Sequence, residues 1–213
     1  MRAIVQDKYG PGAEQVLRLE QEVPEPTLGD GDVLVRVGAA SVDRGTWHIM
    51  AGLPYPIRLA GFGLRAPKPL NPGRSVAGTI ASVGPDVTAL APGDEVFGTC
   101  DGAFAEYACA QPGKLAAKPA NLSFEQAAAV PVSGLTALQA VRDQGQVQTG
   151  QRVLVIGASG GVGTFAVQIA KSFGAEVTGV CSPAKADVVR ALGADHVVDY
   201  TREDFADGAQ RYT

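Results

Sequence analysis

The sequence predicts two parts: a β-rich region of short strands, read as a small barrel, and then the opening half of a doubly wound α/β fold. Three observations carry this. Short apolar-alternating runs in the first 120 residues are separated by Gly and Pro. A Gly-rich turn, Gly157-Ala-Ser-Gly160-Gly161-Val-Gly163, stands between a strand pattern and a helix pattern. After it the chain reads strand–helix–strand–helix–strand. The class is therefore α/β plus β, with a β domain over 1–120 and a partial α/β domain over 121–213.

In the β region, Asp32 to Ser41 alternates, with Val33, Val35 and Val37 on one face and Leu34 and Arg36 on the other. Val76 to Val83 is a second strand, closed by Gly84-Pro85, and Glu95–Phe97 and Ala103–Cys109 are further strands. Gly52 to Pro72 holds five prolines together with Tyr55, Arg58, Arg65 and Lys68, and reads as a long loop of the kind that binds ligands or simply runs over the surface.

Near residue 120 the texture changes. Ser123-Phe-Glu-Gln126 is a capping box at the start of an Ala-rich helix, and Gly134–Gln144 is a second helical stretch stopped by Gly145. Arg152–Ile156 is an apolar strand of the parallel-sheet kind. Gly161–Phe173 is a helix with Phe165, Ile169 and Phe173 on one stripe, and Glu176–Cys181 is a strand. Ser182-Pro183 reads as an N-cap with Pro at the first helical position, opening a helix over Ala184–Leu192. His196–Asp199 is the third strand, and Thr201–Asp204 reads as another N-cap box. A complete doubly wound dinucleotide fold uses six strands, and residues up to 213 supply three of them. The expectation is an incomplete site and an apolar edge at Arg152–Ile156.

Composition excludes several classes. The chain has 213 residues, 46% hydrophobic, with a net charge of −4 and a pI near 5.2, which suits a folded acidic protein. Gly (27) and Pro (14) are abundant without a period, which means turns rather than a fibrous repeat. No apolar stretch reaches the roughly 20 residues of a membrane helix, the N-terminus lacks a signal-peptide core, and no Lys/Arg run offers a nucleic-acid footprint. Neither a membrane nor a nucleic acid is expected as a partner. Cys100, Cys109 and Cys181 cannot form a disulfide framework, so a reducing, cytoplasmic setting is expected.

The Gly-rich turn has a chemical reason. Glycines allow a tight turn and close approach of a pyrophosphate, and the following helix N-terminus offers free N–H groups to the phosphates. Ala158 departs from the G-x-G-x-x-G pattern, but the strand–turn–helix context supports dinucleotide binding. An NAD site ends its second strand on Asp or Glu. Here that strand ends Val180-Cys181-Ser182, and Lys185 follows one helical turn on, where an ammonium suits a 2′-phosphate. NADP(H) is the expected cofactor, and Ser182 can cap and bind at once. The two histidines and three dispersed cysteines show no metal-ligand spacing, so His48 and His196 are read as packing or surface residues. Without a metal to polarise a carbonyl, an already electrophilic quinone or conjugated carbonyl is the favoured hydride acceptor. No nucleophile elbow is present, and Ser159 is read as a hydroxyl facing the phosphates.

In combination these stretches resemble the zinc-independent quinone-oxidoreductase (zeta-crystallin-like) branch of the medium-chain dehydrogenase/reductase superfamily. The motifs are Val33-Leu-Val-Arg-Val with Ala40-Ser41-Val42, Pro72-Gly-Arg-Ser-Val-Ala-Gly78, Pro92-Gly-Asp-Glu-Val-Phe-Gly98, Gly102-Ala-Phe-Ala-Glu-Tyr107, Ala127-Ala-Ala-Val-Pro131, Gly134-Leu-Thr-Ala137, Gly157 to Gly163 and Leu192-Gly-Ala-Asp-His-Val197. The resemblance implies a GroES-like barrel followed by an NADPH-binding Rossmann domain, and reduction of quinones or other α,β-unsaturated carbonyls. It implies that Thr136 meets the nicotinamide end, that Gly160, Gly161 and Val162 form the pyrophosphate turn, and that Ser182, Lys185 and Tyr200 surround the 2′-phosphate and adenosine. Trp47 and Tyr55 fall on the substrate side, or pack in the core. Three positions depart from the family pattern: Asp43 where Asn is usual near the cofactor, Thr46 where Asp is usual, and Ser75 where Asp is common. A carboxylate at Asp43 would repel the phosphates. The family continues into further strands, which leaves a homo-oligomer open. Two expectations follow. One is an NADPH-dependent reductase of which this chain holds part; the other is a non-catalytic nucleotide-binding remnant completed by a partner or by self-association.

Overall fold

A computed structural model describes residues 1–68, 71–206 and 212. The chain divides into two compact units, Met1–Val132 and Ser133–Thr213.

The first unit is built on a five-stranded antiparallel sheet. Its strands are β3 (Val33–Ser41), β4 (Ser75–Val83), β5 (Glu95–Thr99), β6 (Tyr107–Ala110) and β7 (Leu115–Ala117), in the order β6-β3-β4-β5-β7. A second pair, β1 (Ala3–Gln6) and β2 (Leu17–Glu20), flanks the four-residue helix α1 (Ala13–Val16). The alternation read from the sequence is the reason for the core. Val33 and Val35 from β3, Val76 and Ile80 from β4 and Val96 from β5 are buried together with Cys100, Ala103, Ala108 and Ala110. Register shifts at Leu34/Val35 and Val37/Ala39 bend β3.

The expected strand over Ala103–Cys109 is shorter at its start. Residues 103–106 make an isolated bridge, Ala3 to Ala105, and hydrogen bonds from Ile4 N–H to the Phe104 carbonyl and from Val37 N–H to the Glu106 carbonyl. They join β1 to β3 before the regular ladder begins at Tyr107.

Between β3 and β4 lies α2 (Arg44–Ala51), which the sequence reading did not distinguish. Residues 52–68 beyond it are irregular, as expected for a loop, except for one broken helical turn at Arg58–Phe62.

The compact units part at Val132/Ser133, some residues after the composition changes at 120/121. The helix α3 (Phe124–Ala128) packs Ala127 and Ala128 on Ala77, Ala39 and Phe97 of the first unit's sheet. Its capping box forms in both directions. The Gln126 N–H donates to Ser123 Oγ at 3.2 Å, and the Ser123 N–H donates to Gln126 Oε1 at 3.0 Å. Composition changes at residue 120, but packing changes about a dozen residues later, because small Ala side chains let this helix lie close on the sheet.

The second unit opens within α4 (Pro131–Leu138), at Ser133, and continues through a wide turn, Gln139–Gln144. Three parallel strands follow, β8 (Arg152–Ile156), β9 (Glu176–Cys181) and β10 (His196–Asp199), in the order β10-β9-β8. They are joined by α5 (Gly161–Ser172) and α6 (Ala186–Ala191). The core is Val155, Ala166, Val167, Ala170, Val177, Cys181 and Val189, with Phe165, Ile169 and Phe173 of α5 packed on it.

Two local expectations change here. The helix expected over Ala184–Leu192 begins as a tight turn, Pro183–Lys185, and turns α-helical at Ala186. Thr201 does not cap a helix: its N–H and hydroxyl both donate to Asp199 Oδ1, at 2.9 and 2.7 Å, and the chain turns through to Ala206. No helix of the described residues is long and apolar enough to cross a membrane.

Candidate functional site

The C-terminal ends of the three parallel strands gather most of the expected site. Ile156 of β8 pairs with Val180 of β9, and Cys181 of β9 pairs with Asp199 of β10. One step beyond these pairs come Gly157, Ser182 and Tyr200. Ligands in open α/β sheets bind outside the carboxyl ends of the strands, and this is that edge.

The Gly-rich turn is fixed from below. The N–H groups of Gly157 and Ala158 both donate to the Val180 carbonyl at 3.0 Å, and the Gly160 N–H donates to the Gly157 carbonyl at 2.9 Å. Gly157 has φ +75°, the left-handed region that favours glycine. A Cβ on Gly163 would fall on the Gly157 carbonyl, so only glycine lets the helix start this close to the strand. Ala158, which replaces the first glycine of the pattern, is fully buried. Its methyl is accommodated by Gly179 on β9, where an added Cβ would stand 3.0 Å away. The missing glycine has moved to the neighbouring strand.

Gly160 is the N-cap of the 12-residue α5 and contributes no side chain. Thr164 is the residue whose N–H reaches the Gly160 carbonyl, at 2.9 Å. The N–H groups of Gly161, Val162 and Gly163 precede it and lie in the helix's first turn, which has no intrahelical acceptor. Gly160, Gly161 and Val162 are exposed, so this first turn is open to solvent, as helix N-termini that bind phosphate groups are. Ser159 lies half-buried within the turn.

Ser133 was missed by the sequence reading. It is buried in α4, and its Oγ would be 3.0 Å from a Cβ on Gly161, so the start of α4 lies against the turn. Thr136 follows Ser133 by three residues, on the same side of the helix, and is exposed. A lone serine in a short helix gives no pattern signal, which is why only the fold brings it forward.

Ser182 does not act as the expected side-chain cap. Its hydroxyl makes no capping bond, and its carbonyl accepts from the Lys185 N–H at 2.9 Å. Lys185 and Tyr200 are exposed, Tyr200 by 59%. Nearby Asp199 is held below the ordinary carboxylate value by its bonds from Thr201, with Arg202 adding to the effect.

The remaining expected residues lie in the first unit. Asp43 caps α2: the Thr46 N–H donates to Oδ1 at 2.8 Å, and the Thr46 hydroxyl donates to Oδ2 at 3.3 Å. Two departures from the family pattern are thus partners of one another. The third, Ser75, is buried on β4 with its hydroxyl unpartnered among the described residues. Trp47 is half-buried, donates Nε1–H to the Pro11 carbonyl at 3.2 Å, and lies under the Arg44 guanidinium at 4.0 Å. Tyr55 is exposed, with the Arg58 guanidinium 4.9 Å from its ring. His48 Nδ1 lies 2.7 Å from the Leu53 carbonyl, and His196 lies 2.9 Å from Glu176 on the surface. Among the described residues no three His, Cys, Asp or Glu side chains come together as a metal site. The three cysteines are free, and burial pushes the Cys100 thiol up to about 12.

Residues 29–120 match the family described as alcohol dehydrogenase GroES-like domain, and residues 161–213 match that described as zinc-binding dehydrogenase. The human mitochondrial NAD(P)H oxidoreductase RTN4IP1 is 37% identical over 94% of this chain and 54% of its own length. The quinone oxidoreductase of Coxiella burnetii is 34% identical, with a TM-score of 0.86 over 97% of this chain and 64% of that one. The Escherichia coli quinone oxidoreductase, solved as a complex with NADPH, is 29% identical, with a TM-score of 0.81 over 96% of this chain and 60% of that one. The chain thus spans about half the length of the curated relatives it matches. With its GroES-like unit followed by three strands of a Rossmann unit, the chain is similar over nearly all of its length to quinone oxidoreductases of the medium-chain dehydrogenase/reductase superfamily.

Proposed function

We propose that this chain carries the cofactor-binding and barrel portions of a zinc-independent, NADPH-dependent reductase of quinones or other α,β-unsaturated carbonyls. The observation that carries the reading is the strand edge itself. In support, the exposed turn at Gly160–Val162 follows β8, Ser182 and Lys185 follow β9, Tyr200 follows β10, and β9 ends without a carboxylate. In this reading the first turn of α5 holds the pyrophosphate. Ser182 and Lys185 meet the 2′-phosphate, Tyr200 flanks the adenosine, and Thr136 with Ser133 lines the way to the nicotinamide. The cofactor, when bound, supplies the hydride. The protein's part is to align it with an acceptor that is already electrophilic. Support for zinc independence is the lack of a converging donor set among the described residues. Support for a reducing, cytoplasmic setting is three free thiols. Trp47 and Tyr55 are the proposed substrate-side residues.

Titration of the purified chain with NADPH and NADH tests the cofactor assignment. NADPH should bind more tightly. Lys185→Ala should weaken NADPH by roughly tenfold or more, the worth of a charged hydrogen bond, and leave NADH unchanged. Equal affinity for both nucleotides in the parent chain would defeat the assignment. NADPH oxidation with quinones and enones is expected to be slow with this chain alone. One observation favours a second reading, nucleotide binding without turnover: β8 has a strand neighbour on one side only among the described residues. Binding with no oxidation of NADPH by any acceptor would support it.

A further inference from the structure

From Arg44 through Pro85 the chain carries five cations, Arg44, Arg58, Arg65, Lys68 and Arg74, and no Asp or Glu, although its net charge is −4. Arg74 pairs with Asp101. Arg44, Arg58, Arg65 and Lys68 form no ion pair among the described residues, whereas Arg2, Arg18, Lys118, Arg142, Lys171, Arg190 and Arg202 each have a carboxylate. The same segment exposes three large apolar side chains: Tyr55 at 69%, Leu59 at 75% and Leu64 at 65%.

These side chains project from an ordered base. The Phe62 carbonyl accepts from the Lys68 N–H and from the Tyr9 hydroxyl, both at 2.7 Å, which closes a short loop with Leu64 and Arg65 at its tip. Gly63 turns this loop at φ +104°, where a Cβ would meet the Ala66 carbonyl. Arg58 lies against the rings of both Tyr9 and Tyr55, at 4.3 and 4.9 Å, and donates to the Gly52 carbonyl at 2.9 Å. Apolar tips standing proud of a fixed base, with cations on aliphatic stems, fit a surface that is apolar inside and negative outside. An acidic protein would complement the charge but would leave protruding leucines without a pocket of their own.

We propose that the loop around Leu59, Leu64, Arg65 and Lys68 is a peripheral docking surface for an anionic lipid bilayer. No helix of the described residues is long and apolar enough to span the bilayer. The leucines enter the headgroup region, and the cations meet lipid phosphates. The proposal stands apart from the reductase reading, because membrane docking is measured without NADPH or acceptor.

Co-sedimentation of the full chain with phosphatidylglycerol–phosphatidylcholine vesicles, against pure phosphatidylcholine vesicles, tests it. Binding should appear with the anionic vesicles, fall with added salt, and be absent from neutral ones. Leu59→Glu/Leu64→Glu should reduce binding at least tenfold. Arg65→Ala/Lys68→Ala should reduce it by about fivefold per cation removed. All four positions are exposed, so thermal melting should be unchanged. Lys114→Ala, which removes an exposed cation elsewhere in the unit, should bind as the parent does. No binding to anionic vesicles, or equal loss in Lys114→Ala, would overturn the proposal. So would capture by soluble polyglutamate with vesicles ignored, since that marks an acidic-protein site instead.

Discussion

At the scale of single residues, Asp43 shows how a departure from a family pattern gains a local meaning. Read from the sequence, its charge was set against a nearby anionic cofactor. In the structure both carboxylate oxygens are occupied by Thr46, the residue that departs with it. An N-cap needs an acceptor, and a charge adds only a dipole contribution. Asp43→Ala should therefore lower stability by about 1 kcal/mol, while Asp43→Asn should cost only a few tenths. Denaturant melts of the two variants check this, and equal loss in both would mean that charge, not capping, matters there. The site's glycines were legible because the strand–turn–helix context fixes what they are for. Ser133 was not, because nothing in a helical Ser marks the turn it will touch. The compensation of Ala158 by Gly179 was hidden for the same reason: the two are 21 positions apart in sequence and meet only through strand pairing.

At the scale of elements, the three strands and α5 of the second unit matched the sequence reading nearly residue for residue. Apolar runs bounded by glycine leave little freedom in where a buried parallel strand begins. The helix α2 was overlooked although it has an Asp N-cap and Gly52 at its C-terminus with φ +63°. Its eight residues are too few for a periodic pattern to stand out beside a proline-rich loop. How α5 is tied to the sheet was also not legible. Lys171 on α5 contacts both oxygens of Asp195, at 2.8 and 2.7 Å, and the same carboxylate accepts from the Val177 N–H of β9 at 2.7 Å. These bonds, that from Lys171 first, hold the Asp195 carboxyl below its ordinary value of 3.8. A depressed value in the fold means stability that is fully present above the unfolded value and is lost as pH falls through the folded one. The pair is about one-third exposed on each side, so solvent screens it. Asp195→Asn should cost roughly 1 kcal/mol at neutral pH. That difference should shrink as pH drops below 3.8 and vanish in stronger acid. Urea melts of parent and variant across that range measure it, and a gap independent of pH would show that the charge is not its source.

At the scale of the whole molecule, the two units meet their needs differently. The first closes its core with residues from β3, β4, β5 and β6 and covers one face with α3. The second buries β9 on both sides, while β8 pairs with β9 alone among the described residues. Val153 and Val155 pack into the core, yet Ile156 at the end of the strand is 64% exposed. Beyond Arg152 the strand carries no charge that would discourage pairing. A strand that pairs along one edge only and is apolar from Val153 to Ile156 is a template for another strand. The polypeptide of these 213 residues should therefore self-associate through β8 as its concentration rises. Sedimentation velocity over a wide dilution series would register this as a mean sedimentation coefficient that grows with loading. Ile156→Lys sets a charge on that edge, the device by which natural sheets keep edges apart, and should return the protein to monomer at the same loading. A parent chain that stays monomeric throughout, or an Ile156→Lys variant that associates as readily, would mean that the β8 edge is already protected.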